Sequence, residues 1–321
     1  MSSVSPAISV IICTLDRLDH VRMAVSSLEH QTIAQSEFEV IVVDNGTGSV
    51  AEALAGVAAT MSNLRVVHEP VMGLSHARNR GTREALADVL LFMDDDAVAE
   101  PGLLEAHLRQ LASPPRPVAT GGRIYLRWPE ARPTWVPASL ETYYSGLDLG
   151  DTARPLRFPE YPYGANMAIR RETLMQLGGF SVALGRRGRD LISGEEKDLF
   201  LRVSRCGGRV DYVPDAVVHH YVLPERTRRM WFLRRSWAQG RSDIAMGLIA
   251  NGPMPTRRLL ARAGLHAWRG AVNAVGMLVP ALPSRRAPGR RMRRASQMLR
   301  WLGAAREGVA LARSSGDAVA R

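Results

Sequence analysis

Apolar residues in the first hundred positions fall into short unbroken runs that alternate with amphipathic stretches. Ile8-Ser9-Val10-Ile11-Ile12-Cys13, Phe38-Glu39-Val40-Ile41-Val42-Val43, Leu64-Arg65-Val66-Val67-His68 and Val89-Leu90-Leu91-Phe92-Met93 each have the length and composition of a strand. Continuous runs of this kind belong to strands covered on both faces, as in a parallel sheet. Between them, His20 to Gln31 carries Val21, Ala24, Val25 and Leu28 at helical spacing, an Ala-rich stretch follows Asn45-Gly46, and Gly73 to Ala85 reads as a further helix. Strand and helix alternate, so the predicted class is α/β, with a doubly wound, largely parallel central sheet and helices on both faces. No Gly-x-Gly-x-x-Gly follows the first strand and no P-loop occurs, which argues against a dinucleotide dehydrogenase or a phosphate-loop NTPase.

Three of these runs end in polar groups: Thr14-Leu15-Asp16-Arg17, Asp44-Asn45-Gly46 and Asp94-Asp95-Asp96. Open α/β sheets bind ligands at the carboxyl ends of their strands. Three adjacent aspartates repel one another unless a cation or hydrogen-bond donors offset their charge. Carboxylate oxygens are the hard ligands that Mg²⁺ and Mn²⁺ prefer, so the triplet is a candidate metal site. The plainer alternative is an acidic loop capping a helix that begins near Pro101.

Charge divides the chain. Residues 226–321 hold 20 arginines against three acids, whereas residues 1–225 hold 22 bases against 28 acids. A mildly acidic body over 1–225 and a strongly basic helical tail over 226–321 imply two parts with different partners. The two cysteines form no disulfide framework and Cys13 sits in an apolar run, which fits a reducing cytoplasm. The first residues, Met1 to Pro6, lack a charged region ahead of an apolar core, and no window of eighteen uncharged apolar residues exists. The expectation is therefore neither a secretory signal nor a spanning helix.

Taken in order, Ile8–Thr14, Val42-Val43-Asp44-Asn45-Gly46, Gly73–Gly81 and Leu91–Asp96 resemble the successive motifs of family 2 glycosyltransferases. The resemblance continues through Gly164–Arg171, Gly178-Gly179-Phe180, Gly194–Arg202, His219-His220 and Pro224-Glu225-Arg226, and covers about 5–250. Each motif is weak alone, while the ordered set is specific. It implies a GT-A fold and an inverting, metal-assisted hexosyl transfer from a nucleotide diphospho-sugar to an acceptor hydroxyl. The cation would neutralise the departing diphosphate. By resemblance Asp96 and Asp94 would hold it, with His220 as a further metal or diphosphate contact, and Asp95 would touch ribose or metal. Asp44 would accept from the nucleobase, Thr14 and Asp16 would line the base and ribose pocket, and Asn166 would face the donor sugar. Arg78 would either reach ribose or diphosphate with its forked donors or lie on a solvated helix face. The acceptor hydroxyl must lose a proton as it attacks, so a carboxylate base is expected. Glu195, Glu196 and Asp198 are the candidates. The family usually has Glu-Asp where this chain has Glu195-Glu196, which leaves the base between those two; register favours Glu196, with Asp198 as an anchor.

Arg123 to Pro162 is irregular and carries Trp128, Trp135, Tyr143, Tyr144 and Tyr161. Such aromatics either stack on an acceptor sugar or fold onto the core. In the tail, Trp231, Trp237 and Trp268 share predicted helices with arginines, Pro280 and Pro283 interrupt it, Arg285-Arg286 and Arg290–Arg294 follow, and a last helix lies around Met298–Ala312. Arginine and tryptophan on amphipathic helices point to peripheral contact with an anionic membrane, at the inner face of the plasma membrane. Nucleic acid is disfavoured for want of a zinc motif or an RNA-stacking sheet, and a cover for the catalytic body or a dimer contact stays open. The acceptor would be a lipid-linked glycan, a polysaccharide or a small aglycone. A nucleotide-sugar nucleotidyltransferase is the alternative enzyme, although it would want a Gly-rich basic loop where Thr14-Leu15-Asp16-Arg17 stands.

Overall fold

The structure, a computed structural model, describes residues 5–188, 190–252, 254–278 and 287–319. They form two compact units. The first takes the chain to Arg127, then Tyr144–Ala183 and Glu195–Val222; the second takes Trp128–Tyr143, Leu184–Gly194 and the chain from Leu223.

In the first unit β1 (Ile8–Thr14), α1 (Leu18–Ser26), β2 (Phe38–Asp44), the one-turn helices α2 (Val50–Ala53) and α3 (Ala55–Ala58), β3 (Leu64–His68), α4 (Leu74–Glu84) and β4 (Val89–Asp94) come first. β5 (Ala97–Ala99), α5 (Leu103–Ala112), β6 (Ala119–Arg127), β7 (Arg154–Leu156), β8 (Met167–Arg170), α6 (Arg171–Gln176), α7 (Glu195–Arg205) and β9 (Val210–Tyr221) follow. They build one mixed, mostly parallel sheet in the order β3-β2-β1-β4-β8-β6-β9-β5, with β7 added against β9. β1 to β4 run parallel in their half, β8 is antiparallel to both β4 and β6, and β5 is antiparallel to β9. This is the GT-A arrangement, and the α/β expectation holds.

The apolar runs are continuous because both faces are covered. Ile8, Val10, Ile12, Val40, Val42 and Leu91 point into one core with Val21, Val25, Leu103 and Leu104 from α1 and α5. Their neighbours Ile11, Ile41, Val43, Leu90 and Phe92 point into the other, against Ala77 of α4 and Leu199, Phe200 and Val203 of α7. A period of two along each strand sorts the residues between the layers. The helix read over His20–Gln31 begins earlier and ends as a tighter 3₁₀ turn, Ser27–His30.

The second unit is built on α8 (Arg229–Asn251), α9 (Thr256–Leu278) and α10 (Ala287–Val319). α10 runs through the Arg290–Arg294 cluster as well as Met298–Ala312, so the basic segment is helical. Val279, Pro280, Pro283, Arg285 and Arg286 lie outside the described residues, as do Met1 to Val4. Gly240 of α8 faces the backbone of Arg300, and Gly303 of α10 faces that of Trp237, so any side chain at either position would collide with main chain. Arg241 bonds Glu307 at 2.9 Å and Arg300 bonds Asp243 at 2.6 Å across the same pair of helices. Trp135 and Tyr143 pack their rings on Phe232 at 5.5 and 5.1 Å between centroids. Among the described residues no helix is long and apolar enough to cross a membrane.

Inside the first unit, His107 of α5 stands between Thr120 Oγ1 and Asn166 Oδ1, both at 2.8 Å. Burial pushes its pKa down to about 4, against the opposing pull of the Asn166 bond. Above an unfolded value of 6.5 the ring is neutral in both states, and its share of stability is fully present. As pH falls, the unfolded ring takes up a proton that the buried ring refuses until about 4, so that share is lost between 6.5 and 4. The loss amounts to about 3 kcal/mol. His107→Gln is expected to flatten this part of the stability–pH curve in urea unfolding; an unchanged slope would show that the ring is not the group responsible.

Candidate functional site

The carboxyl ends of three parallel strands meet at one edge of the sheet. Thr14 ends β1 opposite Asp44 of β2, and Cys13 lies opposite Asp94 of β4. The chain then turns through Asp95 and Asp96 into β5, whose pairing with β9 sets Ala97 opposite His220. A bond from Tyr221 N to Asp96 O at 2.8 Å locks this junction. Sequence positions more than a hundred residues apart are thereby joined by backbone register.

The three aspartates diverge. His220 Nε2 lies 3.0 Å from Asp96 Oδ1 and 3.8 Å from Asp94 Oδ2. Asp95 turns the other way, accepting from Thr14 Oγ1 at 2.6 Å and facing Arg17 Nη2 at 2.5 Å. Arg17 Nη1 reaches Asp96 Oδ2 at 2.7 Å. Asp96 therefore offers one oxygen to an imidazole and the other to a guanidinium. Burial pushes Asp95 up to about 7, with Arg17 and the Thr14 bond pulling down and Asp96 and Asp94 adding to the rise. Burial also works against the Arg17 cation, but Asp95 and Asp96 overcome it and hold it charged. His219, the residue before it on the strand, bonds Glu100 at 2.8 Å.

A second guanidinium joins this group to α7. Arg78 is buried on the inward side of α4, which removes the solvated-face alternative. Its Nη1 lies 3.1 Å from both Glu195 Oε1 and Glu196 Oε1, and its Nη2 lies 3.5 Å from Asp94 Oδ1. The group sits over the Phe180 ring at 5.4 Å. Burial opposes its charge, yet Glu196, Glu195 and Asp94 more than compensate. Glu195 and Glu196 occupy the first turn of α7, where the helix dipole favours carboxylates. Gly164 passes so close that a Cβ there would strike Arg78 Nη2 and Glu196 Oε1. Cys13, behind them, has its thiol pushed up to about 12, chiefly by burial and partly offset by Arg78. It is a neutral thiol rather than a nucleophile.

The remaining expected site residues are placed nearby or turned inward. Asp44 is buried and accepts from Gly46 N at 2.8 Å and Val50 N at 3.3 Å, a turn-forming role. Asp16 accepts from Thr47 N at 2.8 Å, tying the loop after β1 to the loop after β2. Asp198 bonds Arg202 at 2.7 Å, and Arg202 also donates to Leu177 O and Gly179 O, so Asp198 anchors the start of α7. Asn166 is fully buried; it donates to Arg123 O at 3.0 Å and Ala216 O at 2.9 Å and bonds His107. Its amide holds strands together, with no edge at the surface. Tyr144 is buried and Tyr161 packs on Tyr163 at 5.5 Å, so these aromatics serve cores. Thr14, Arg78, Asp94, Asp95, Asp96, Glu195, Glu196 and His220 form one linked set. Arg17 and Gly164 belong to it without having been singled out in the sequence. The signal for Arg17 was a base standing three residues past a strand end, opposite an acidic triplet.

Asp94, Asp96 and His220 each offer one ligand atom, all within 4.8 Å of one another. Two carboxylates and an imidazole are a donor set that suits a borderline divalent ion such as Mn²⁺ better than the oxygen-seeking Mg²⁺.

Residues 9–178 match the sequence family described as Glycosyl transferase family 2. The chain is similar to glucosyl-dolichyl phosphate glucuronosyltransferase of Haloferax volcanii, 28% identical over 247 residues, or 75% of this chain and 78% of that one. It is similar to pre-mycofactocin glycosyltransferase of Mycobacterium tuberculosis, 30% identical over 254 residues, which is 77% of this chain but only 50% of that relative. Among solved structures, a mannosyltransferase from Pyrobaculum calidifontis in complex with GDP-Man and Mn²⁺ superposes with a TM-score of 0.61 at 21% identity, covering 96% of this chain and 88% of that one.

Arg78→Met would leave Glu195, Glu196 and Asp94 facing one another in a buried setting without their shared cation. A loss of about 3–5 kcal/mol is expected, read from urea unfolding. Adding Glu196→Gln should recover part of it. A single-variant loss well under 1 kcal/mol would mean that solvent already compensates these carboxylates.

Proposed function

The chain belongs to glycosyl transferase family 2, and from that premise we propose that it moves a sugar from a nucleoside diphosphate sugar to an acceptor hydroxyl, inverting the anomeric centre. The observation that carries this is the fork of Arg78, which touches Glu196 and Asp94 at once. It couples a candidate proton acceptor to a candidate metal cluster through one rigid cation. Asp94, Asp96 and His220 are the residues that would hold a divalent ion, which would supply counter-charge to the departing diphosphate.

The chain's own residues divide the remaining work. Glu196 takes the proton of the acceptor hydroxyl as that oxygen bonds to the anomeric carbon and the bond to diphosphate breaks. It is better placed than Glu195 because its side chain is 18% exposed against 2%. Arg78 fixes both carboxylates in direction, and Gly164 leaves the space that lets them meet. Arg17 pins Asp95 and the far oxygen of Asp96, so that the near oxygen stays aimed at His220. Asp44, Asp16 and Thr14 line the proposed base and ribose end, and Asp95 its ribose or metal contact. For the acceptor, the names of similar proteins support a lipid-linked sugar, with a polysaccharide or small aglycone as the other classes. Asn166 and Asp198 act in this scheme as braces of the site. The proposed place of action is the cytoplasm, hexosyl transfer the proposed class.

The test pairs turnover with nucleotide binding. Asp96→Asn should abolish metal-dependent transfer while the protein keeps its melting temperature within a few degrees. Glu196→Gln should lose about 10²–10⁴-fold in turnover yet bind UDP or GDP with Mn²⁺ as the parent does, by calorimetry. If Glu195→Gln alone shows that pattern, Glu195 is the base; full activity in Asp96→Asn would remove the metal cluster from the reaction.

A further inference from the structure

The period of α9 sorts its residues into two apolar faces with opposite fates. Leu259 and Ala263 are buried against Gly308 of α10, and Gly270 against Leu302. On the far side Leu265, Trp268, Val272 and Val275 follow one another at intervals of three and four, which places them on a single stripe. They are 45%, 63%, 50% and 62% exposed. A tryptophan and three aliphatic residues in one line, with open water in front of them, form a surface that soluble proteins reserve for contact.

Its borders say what kind of contact. Arg258, Arg262 and Arg269 fall along one edge of the stripe at the same helical spacing, Arg257 stands at its amino-terminal end, and α9 contains no Asp or Glu. Leu265, at that edge, also lines a cavity of about 420 Å³ together with Arg262, Arg269 and Arg300. The acid in that cavity, Asp243, is already bonded by Arg300. Arg269 lies over the Trp301 ring at 4.9 Å, and His266 stacks on the same ring at 5.0 Å. The cavity thus presents cationic groups on an aromatic wall, a seat suited to a phosphate.

We propose that α9 is a membrane-docking helix, lying in the plane of an anionic bilayer with Leu265, Trp268, Val272 and Val275 among the acyl chains. Arg258, Arg262 and Arg269 then sit at headgroup level, one phospholipid phosphate entering the cavity. An apolar stripe with arginine at its rim is the pattern of an interfacial helix, and basic residues near such a surface each strengthen the attraction. A second copy of the chain would bring two arginine rims together with no acids on α9 to meet them. Nucleic acid would leave the tryptophan and valines in water. Docking of this kind needs nothing from the acidic cluster, so it stands or falls apart from the transfer chemistry.

The full chain is mixed with vesicles of neutral phosphatidylcholine, or of phosphatidylcholine with about one-third phosphatidylglycerol, and sedimented in moderate salt. The parent is expected to partition at least about tenfold more strongly onto the anionic vesicles. The pair Trp268→Ser and Val272→Ser should lose that binding about tenfold while melting as the parent does. Arg258, Arg262 and Arg269 changed together to Gln should erase the preference for anionic over neutral lipid. Equal sedimentation of the parent and the serine variant overturns the proposal. So does a parent that is dimeric by light scattering and becomes monomeric on Trp268→Ser and Val272→Ser, because a second copy then covers the stripe.

Discussion

A single buried guanidinium holds the first unit's chemistry in place. Arg78 reaches two carboxylates at the start of α7 and one at the end of β4, elements separated by about a hundred residues. Burying any of these charges alone would be costly, and burying them together is tolerable only because each satisfies another. The geometry of the site therefore depends on a charge balance as much as on packing. Phe180 beneath the fork and Gly164 beside it are consequences of that balance: one supplies a flat apolar floor, the other withholds a side chain.

The sheet delivers these groups by changing direction. Its parallel half brings Thr14, Asp44 and Asp94 to one edge, as doubly wound sheets do. The insertion of β8 antiparallel to β4 and β6, and of β5 antiparallel to β9, then returns His220 to that same edge. β8 runs against β4, β6 against β8, and β9 with β6, so β9 runs the same way as β4 and their carboxyl ends share an edge. Asn166 and His107 brace the place where the direction switches, and their bonds are satisfied within the protein.

Much of this was legible from the residues alone. The runs ending in Thr14, Asp44 and Asp94 declared themselves by length and by the polar groups that stop them, and the doubly covered sheet followed. Other features rest on partners that no local pattern reveals. Arg78 stands in a helix whose polar residues are spread around it, so its burial depends on Glu195 and Glu196 arriving from afar. Asn166 is held by groups 43, 50 and 59 positions away, which is why its interior role could not be read from Gly164-Ala165-Asn166. The last helix, read around Met298–Ala312, begins earlier: arginine is a good helix former, and α10 runs through the Arg290–Arg294 cluster. The aromatics between Arg123 and Pro162 admitted two fates by composition, and Trp135, Tyr143 and Tyr144 took the interior one.

The three-residue strand β5 has a bearing on how the enzyme comes into being. Because it pairs with β9, the aspartates at 94–96 gain their imidazole neighbour only after the final strand of the sheet has left the ribosome and docked. A nascent chain carries its aspartates early, with Arg17 and Arg78 but without His220, and the glutamates of α7 arrive almost as late as that histidine. Assembly of the sheet's last edge thus completes the site: no product that ends before β9 possesses the whole constellation.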